Sequence, residues 1–72
     1  MNCKILLNYF EDEGNFEFTD FELDLKAING FGEKDNLLFI MINGTLYCFL
    51  YEEQLHKELQ SEMAKRKMYN LN

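Results

Sequence analysis

The segment 36–53, NLLFIMINGTLYCFLYEE, constrains the fold most, because two apolar runs flank the pair Asn43-Gly44. Asn-Gly is the preferred pair for a two-residue type I′ turn, in which both central residues take positive φ. With this pair as the loop, the sequence predicts a β-hairpin in which Ile42 faces Thr45. Both hairpin faces are apolar, whereas one face of an antiparallel ribbon normally meets water. The rest of the chain therefore has to cover two apolar surfaces.

The remainder of the chain up to residue 35 has the pattern of two more strands and a loop. The four strands are predicted at about 3–10, 15–28, 36–43 and 45–51. In the second of them, two apolar blocks are out of phase by one residue at Thr19-Asp20, which predicts a bulge or a break there. Residues 29–35, NGFGEKD, predict a loop whose tip exposes Phe31 as a contact residue.

Residues 52–69 predict a C-terminal helix. Its acidic start and basic end complement the helix dipole, and Leu55, Leu59 and Met63 form a narrow apolar row. Sequential hairpins are the simplest way to connect the strands. The sequence therefore predicts an α+β fold in a single small domain, 1–72: a four-stranded antiparallel β-meander with the helix laid across one face.

The composition and charge of the chain restrict the compartment and the kinds of partner that we expect. Thirteen acidic and seven basic residues give a formal charge of −6, which repels nucleic acid and membrane surfaces and attracts basic proteins. Cys3 and Cys48 provide no disulfide framework and have the context of buried, reduced thiols. The N-terminus lacks the pattern of a signal peptide, and the longest apolar run, 37–42, is too short to span a bilayer. We expect a cytoplasmic protein without direct contacts to nucleic acid or membrane.

Catalysis has little support in the sequence. The single His56 and the single Ser61 lie five positions apart on the predicted helix, so they do not share one face as nucleophile and base would. Cys3, Cys48 and His56 lack the paired spacings of zinc ligands. The sequence therefore predicts a protein that is not an enzyme and that uses no metal or cofactor.

Acidic residues are concentrated in one stretch. Between Glu11 and Asp24 there are seven carboxylates and no Lys or Arg. On a strand, Asp20, Glu22 and Asp24 would project from one side at intervals of about 6.6 Å, of the order of the spacing of phosphates. The predicted partner-binding acidic surface is Glu11, Asp12, Glu13, Glu17, Asp20, Glu22 and Asp24. The alternative is a polar face that keeps a sheet edge soluble.

In its size, acidity and cysteine-poor composition, the chain resembles the small inhibitors that phages and mobile elements encode against host nucleic-acid enzymes or defence nucleases. The resemblance is one of class and implies a non-enzymatic inhibitor. Its acidic surface would imitate nucleic acid and bind a basic host protein, such as a nuclease.

The apolar hairpin provides the second functional hypothesis. One helix covers part of one face only, and a contiguous exposed apolar patch usually marks an interface. We expect a homodimer, or docking of an accessory subunit, through Phe39, Met41, Leu46 and Cys48, or through the opposite face with Tyr47, Phe49 and Tyr51. The alternative is that the segment 16–28 folds over the uncovered face within one molecule.

Overall fold

The computed structural model describes residues 1–10 and 12–70, with side chains described up to Arg66. The elements are β1 (Asn2–Phe10), β2 (Asn15–Glu22), a 3₁₀ turn (Leu25–Ala27), β3 (Ile28–Lys34), β4 (Leu37–Ile42), β5 (Thr45–Leu50) and α1 (Glu53–Asn70). The α+β class is confirmed. The predicted number of four strands is wrong, because β3 occupies most of the segment that was expected to be a loop.

All strand pairs are antiparallel, and the order across the sheet is β2-β1-β5-β4-β3. The predicted sequential meander is therefore wrong, since β1 pairs with β5 through Ile5 and Phe49. Strands that are apolar on both faces occupy the centre, where both faces are shielded. The charged β2 and the glycine-containing β3 form the edges, as expected for strands that must resist further pairing.

The central hairpin is confirmed. Asn43 and Gly44 have φ of 51° and 84°, and Ile42 lies opposite Thr45. A second tight turn precedes it, in which Asp35 and Asn36 also take positive φ. Asp and Asn tolerate this conformation better than other residues with a Cβ. That turn replaces the predicted 29–35 loop.

The predicted bulge at Thr19-Asp20 is wrong. The register of β2 continues through these residues, and the shift lies in β1 between Leu6 and Asn8. The out-of-phase blocks of β2 arise because its two halves project apolar residues from opposite faces of the sheet. The second strand also ends at Glu22 rather than near residue 28.

Helix α1 packs on one face of the sheet, which we call the covered face. The core there consists of Cys3, Leu23, Ile28, Leu38, Ile40, Phe49, Leu55 and Leu59. At the other end of α1, the guanidinium of Arg66 donates hydrogen bonds to the backbone carbonyls of Leu25 and Lys26 at 3.0 Å each and to that of Ile28. This side chain joins the helix to the segment that leads into β3.

Candidate protein interface

The opposite side of the sheet, which we call the open face, is also apolar. Side chains alternate between faces along a strand and paired residues share a face, so the registers place ten apolar residues here: Leu6, Tyr9, Phe16, Phe18, Leu37, Phe39, Met41, Leu46, Cys48 and Leu50. Leu46 is 58% exposed and Met41 38%. All four residues of the predicted dimer face lie on this open face.

The open face consists of three rows that cross the five strands. The pair of Ile5 with Phe49 and the registers of the other strands define them in the order β2, β1, β5, β4, β3. Tyr9 belongs to the outer row through its pair with Phe16, which follows the bulge in β1. The charged row is Asp20, Lys4, Leu50, Leu37 and Lys34. The central row is Phe18, Leu6, Cys48, Phe39 and Gly32. The outer row is Phe16, Tyr9, Leu46, Met41 and Gly30. Charge is thus confined to one end of the face.

The two edges of the open face differ in thickness. At the β2 edge, the rings of Tyr9 and Phe16 stack with centroids 4.8 Å apart, and Phe18 follows at 6.1 Å from Phe16. At the β3 edge, Gly30 and Gly32 present bare backbone, and a Cβ built on either would meet no atom within 4 Å. The open face is therefore thick at the β2 edge, where it carries aromatic rings. It is thin at the β3 edge, where Gly30 and Gly32 form what we call the glycine shelf.

The predicted acidic ladder does not form on one strand. Glu22 is the last residue of β2, and the carboxylate of Asp24 instead accepts a hydrogen bond from the Lys26 amide at 3.0 Å, capping the 3₁₀ turn. Asp20 pairs with Lys4, and Glu22 accepts from the Met1 α-amino group at 2.9 Å. Two of the three carboxylates of the ladder are therefore neutralised by neighbouring cations.

The remaining predicted acids lie on the β1–β2 hairpin. Glu11 lies outside the described residues. Asp12 and Glu13 are exposed in the turn, and Glu13 accepts a hydrogen bond from the Asn15 side chain at 3.3 Å. Glu17 is exposed and projects from the side of β2 opposite to Asp20, since the two are an odd number of residues apart. The acids therefore surround the hairpin instead of sharing one plane.

The predicted position of the contact residue Phe31 at an exposed loop tip is wrong. It lies in β3 opposite Ile40 and is half-buried against the core. Its ring meets that of His56 edge-on with centroids 5.7 Å apart, and the Tyr51 hydroxyl lies 3.0 Å from Nδ1 of His56. These contacts give His56 a packing role at the rim of the covered face.

The two thiols lie on opposite faces. Burial, reinforced by the negative charge of Glu52, raises the pKa of the Cys3 thiol to about 11. Burial also raises the pKa of Cys48, which is half-buried in the middle of the central row. Because the thiolate is the reactive form, both groups are weak nucleophiles at neutral pH.

Comparison with protein-family models, curated proteins and solved structures finds no match to this chain. Among residues 1–10 and 12–70, no helix is long and apolar enough to cross a membrane. In the same part of the chain, no three His, Cys, Asp or Glu side chains converge as the ligands of a metal ion would. The open face and the acidic β1–β2 hairpin are the two surfaces that bear on function.

Proposed function

We propose that this protein is a non-enzymatic assembly module that docks onto another protein surface through the open face. The observation that carries the proposal is a sheet with α1 packed on one face only. On the other face, the outer row exposes large apolar side chains, the central row is half-buried, and neither row contains a charge. Such a surface gains free energy when another apolar surface covers it.

The size of the open face supports this role. Strands about 4.8 Å apart and rows about 6.6 Å apart give the three rows a footprint of about 500 Å². The largest apolar patch on a monomeric protein is about 300–600 Å² and is often functional. Each large side chain left in water forgoes about 2 kcal/mol of burial free energy. The open face thus has the size of the apolar patches that are often functional.

Two neighbouring residues of β5 provide a matched test. Leu46 lies on the open face and is 58% exposed, whereas Tyr47 projects from the other side of the same strand and is 40% exposed. Leu46→Lys places a charge in the proposed interface, and Tyr47→Lys places the same charge outside it.

The measurement is the size of the complexes that the tagged chain forms in lysate at about 0.1 M and about 1 M salt, where charge interactions are screened. We expect Leu46→Lys to abolish the complexes at both salt concentrations and Tyr47→Lys to preserve them. Complexes that withstand Leu46→Lys, or that dissolve in high salt, would contradict docking through the open face.

A second function is favoured by the acidic hairpin. In the described residues, none of the four ion pairs uses Asp12, Glu13 or Glu17. The exposed, stacked rings of Tyr9 and Phe16 lie on the two strands that flank the turn with Asp12 and Glu13. Aromatic rings beside unpaired carboxylates suit a basic protein surface, because Arg binds both. We propose a basic host protein, such as a nuclease that the chain would inhibit, as the partner of this hairpin.

Charge reversal tests this second function. The double change Asp12→Lys and Glu17→Lys is expected to weaken binding of a basic partner by at least about tenfold at low salt, because it replaces attraction with repulsion. The same change in net charge at two exposed sites away from the hairpin, Glu33→Lys and Glu53→Lys, is the control. Equal losses in both variants would mean that only net charge matters and that the hairpin is not a binding site.

A further inference from the structure

We propose that the occupant of the open face is a second copy of this chain, packed face to face about a twofold axis that runs along β5. The inference rests on the proposed docking role and names its partner. Its basis is a self-complementarity of shape and charge between the two edges of the open face.

The area of the face fits a dimer of this kind. Two footprints of about 500 Å² bury about 1,000 Å² in total, which reaches the lower limit of about 1,000 Å² for a specific interface. A twofold pair uses the same face on both copies and leaves none of it in water. The result would be a β-sandwich with sheets about 10 Å apart and helices on the outside.

The position of β5 determines which strands meet. It is the third of five strands, so an axis along it lays β2 of one copy over β3 of the other and β1 over β4. The thick, aromatic edge then faces the glycine shelf. The registers bring Phe18 over Gly32 of the second copy and Phe16 over Gly30 of the second copy, so large rings meet the positions that lack side chains.

Charge follows the same pattern. In the charged row, the axis brings Asp20 over Lys34 of the second copy, which adds a cation to the pair that Asp20 already forms with Lys4. The acidic β1–β2 hairpins fall on opposite edges of the sandwich, about 20 Å apart across five strands. Screening in physiological salt acts within about 8 Å, so their mutual repulsion is weak.

An axis perpendicular to the strands gives a worse match. It would place the charged row of one copy over the outer row of the other, so that Lys4 lies over Tyr9 of the second copy and Lys34 over Gly30 of the second copy. Charges buried without new partners cost several kcal/mol. It would also bring aromatic edge onto aromatic edge and glycine onto glycine, leaving one side overfilled and the other empty.

The first test is sedimentation of the purified full chain. We expect twice the 8.6 kDa chain mass at micromolar concentration for the unmodified chain and for Tyr47→Lys. Leu46→Lys should raise the dimer dissociation constant at least about 100-fold, because the symmetry buries two unpaired charges. Gly32→Phe should raise it at least about tenfold by filling the shelf, while the free space around Gly32 leaves the monomer undisturbed.

The second test establishes the axis by cross-linking. In a background of Cys3→Ser and Cys48→Ser, one preparation carries Asp20→Cys and another Lys34→Cys. With a bismaleimide that spans about 10 Å, the separation of packed sheets, the mixture is expected to form covalent dimers and each preparation alone is not. Cross-links within either separate preparation, or none in the mixture, would overturn the proposed axis.

A chain that sediments as a monomer at about 100 µM would overturn the second copy as the occupant, as would dimers unaffected by both Leu46→Lys and Gly32→Phe. Failure of the second copy as the occupant can be distinguished from failure of the docking role. If the purified chain is monomeric while the lysate complexes are still lost in Leu46→Lys, the open face binds another protein. If the lysate complexes also withstand Leu46→Lys, both proposals fail. Circular dichroism of each variant establishes that its fold is kept.

Discussion

Replacing Arg66 with Met is expected to loosen the contact between α1 and the segment before β3. The guanidinium donates to the carbonyls of Leu25, Lys26 and Ile28, and it also lies 3.6 Å from the Glu62 carboxylate. Methionine keeps most of the aliphatic stem, which packs on the surface, but removes every donor. The substitution thus isolates the hydrogen bonds from the packing.

The size of the effect follows from the position of the side chain. A hydrogen bond to a charged group contributes about 1.5–3 kcal/mol when it is shielded from water. The Arg66 side chain is 35% exposed, so water replaces part of what is lost, and we expect about 2 kcal/mol for all the bonds together. A domain of this length has a total unfolding free energy of only about 4–11 kcal/mol.

Urea unfolding followed by circular dichroism measures the loss. With an m-value of about 1 kcal/mol/M, the midpoint should fall by about 2 M while m stays unchanged. Lys65→Met is the control, because it removes the same charge from the adjacent, exposed position. All samples need the same protein concentration, since the proposed self-association would make the midpoint depend on concentration. Equal midpoints for the two variants would refute the role of Arg66 as a tie between helix and turn.

Three further predictions concern the core, the turn and the thiols. Phe49→Ala should cost about 3–5 kcal/mol in thermal unfolding, because Phe49 is fully buried in the middle strand. Asn43→Ala should lower stability by about 1–2 kcal/mol and Asn43→Gly should not, because φ is 51° there; equal losses would contradict the turn assignment. In the Leu46→Lys variant, which we expect to be monomeric, iodoacetamide should modify Cys48 faster than Cys3. Because burial raises the pKa of both thiols, both modification rates should rise about tenfold per pH unit near neutral pH.

Local signals in the sequence predicted the central hairpin and the helix. Asn43-Gly44 predicted the central turn and its register, because the turn type leaves one pairing for the flanking residues. The charge gradient and the row of Leu55 and Leu59 predicted the helix, and both residues are buried in the structure. These features depend on neighbours in the chain, which a sequence displays directly.

The strand order was not predicted, because it depends on contacts between distant segments. Simple hairpin succession put the second strand beside 36–43, which is β4, whereas the 3₁₀ turn carries the chain to β3 at the other edge of the sheet. The two glycines of β3 indicated a loop, although Asp35-Asn36 is a turn signal that would have extended the strand up to Lys34. Because this turn was not predicted, β3 and its glycine shelf were not predicted either.

The candidate interface was predicted in part. Counting apolar residues on both sides of the hairpin indicated that one face would stay uncovered, and Phe39, Met41, Leu46 and Cys48 all lie on it. The contributions of Phe16 and Phe18 were not foreseen, because their phase was taken to place them on the same side as Phe21. Only the bulge in β1 and the pairing of β1 with β5 reveal which face they share.

The pairing of β1 with β5 also bears on how the chain acquires its structure during synthesis. Strands β3, β4 and β5 are neighbours in the chain and form a meander that folds quickly. Strand β1 pairs with β5, which is far along the chain, and closing a loop of that length slows folding. Until β5 leaves the ribosome, the β1–β2 hairpin carries an unpaired inner edge. That edge can pair with β5 of another nascent chain, so exchange of the N-terminal hairpin between molecules is the misfolding route that this topology leaves open.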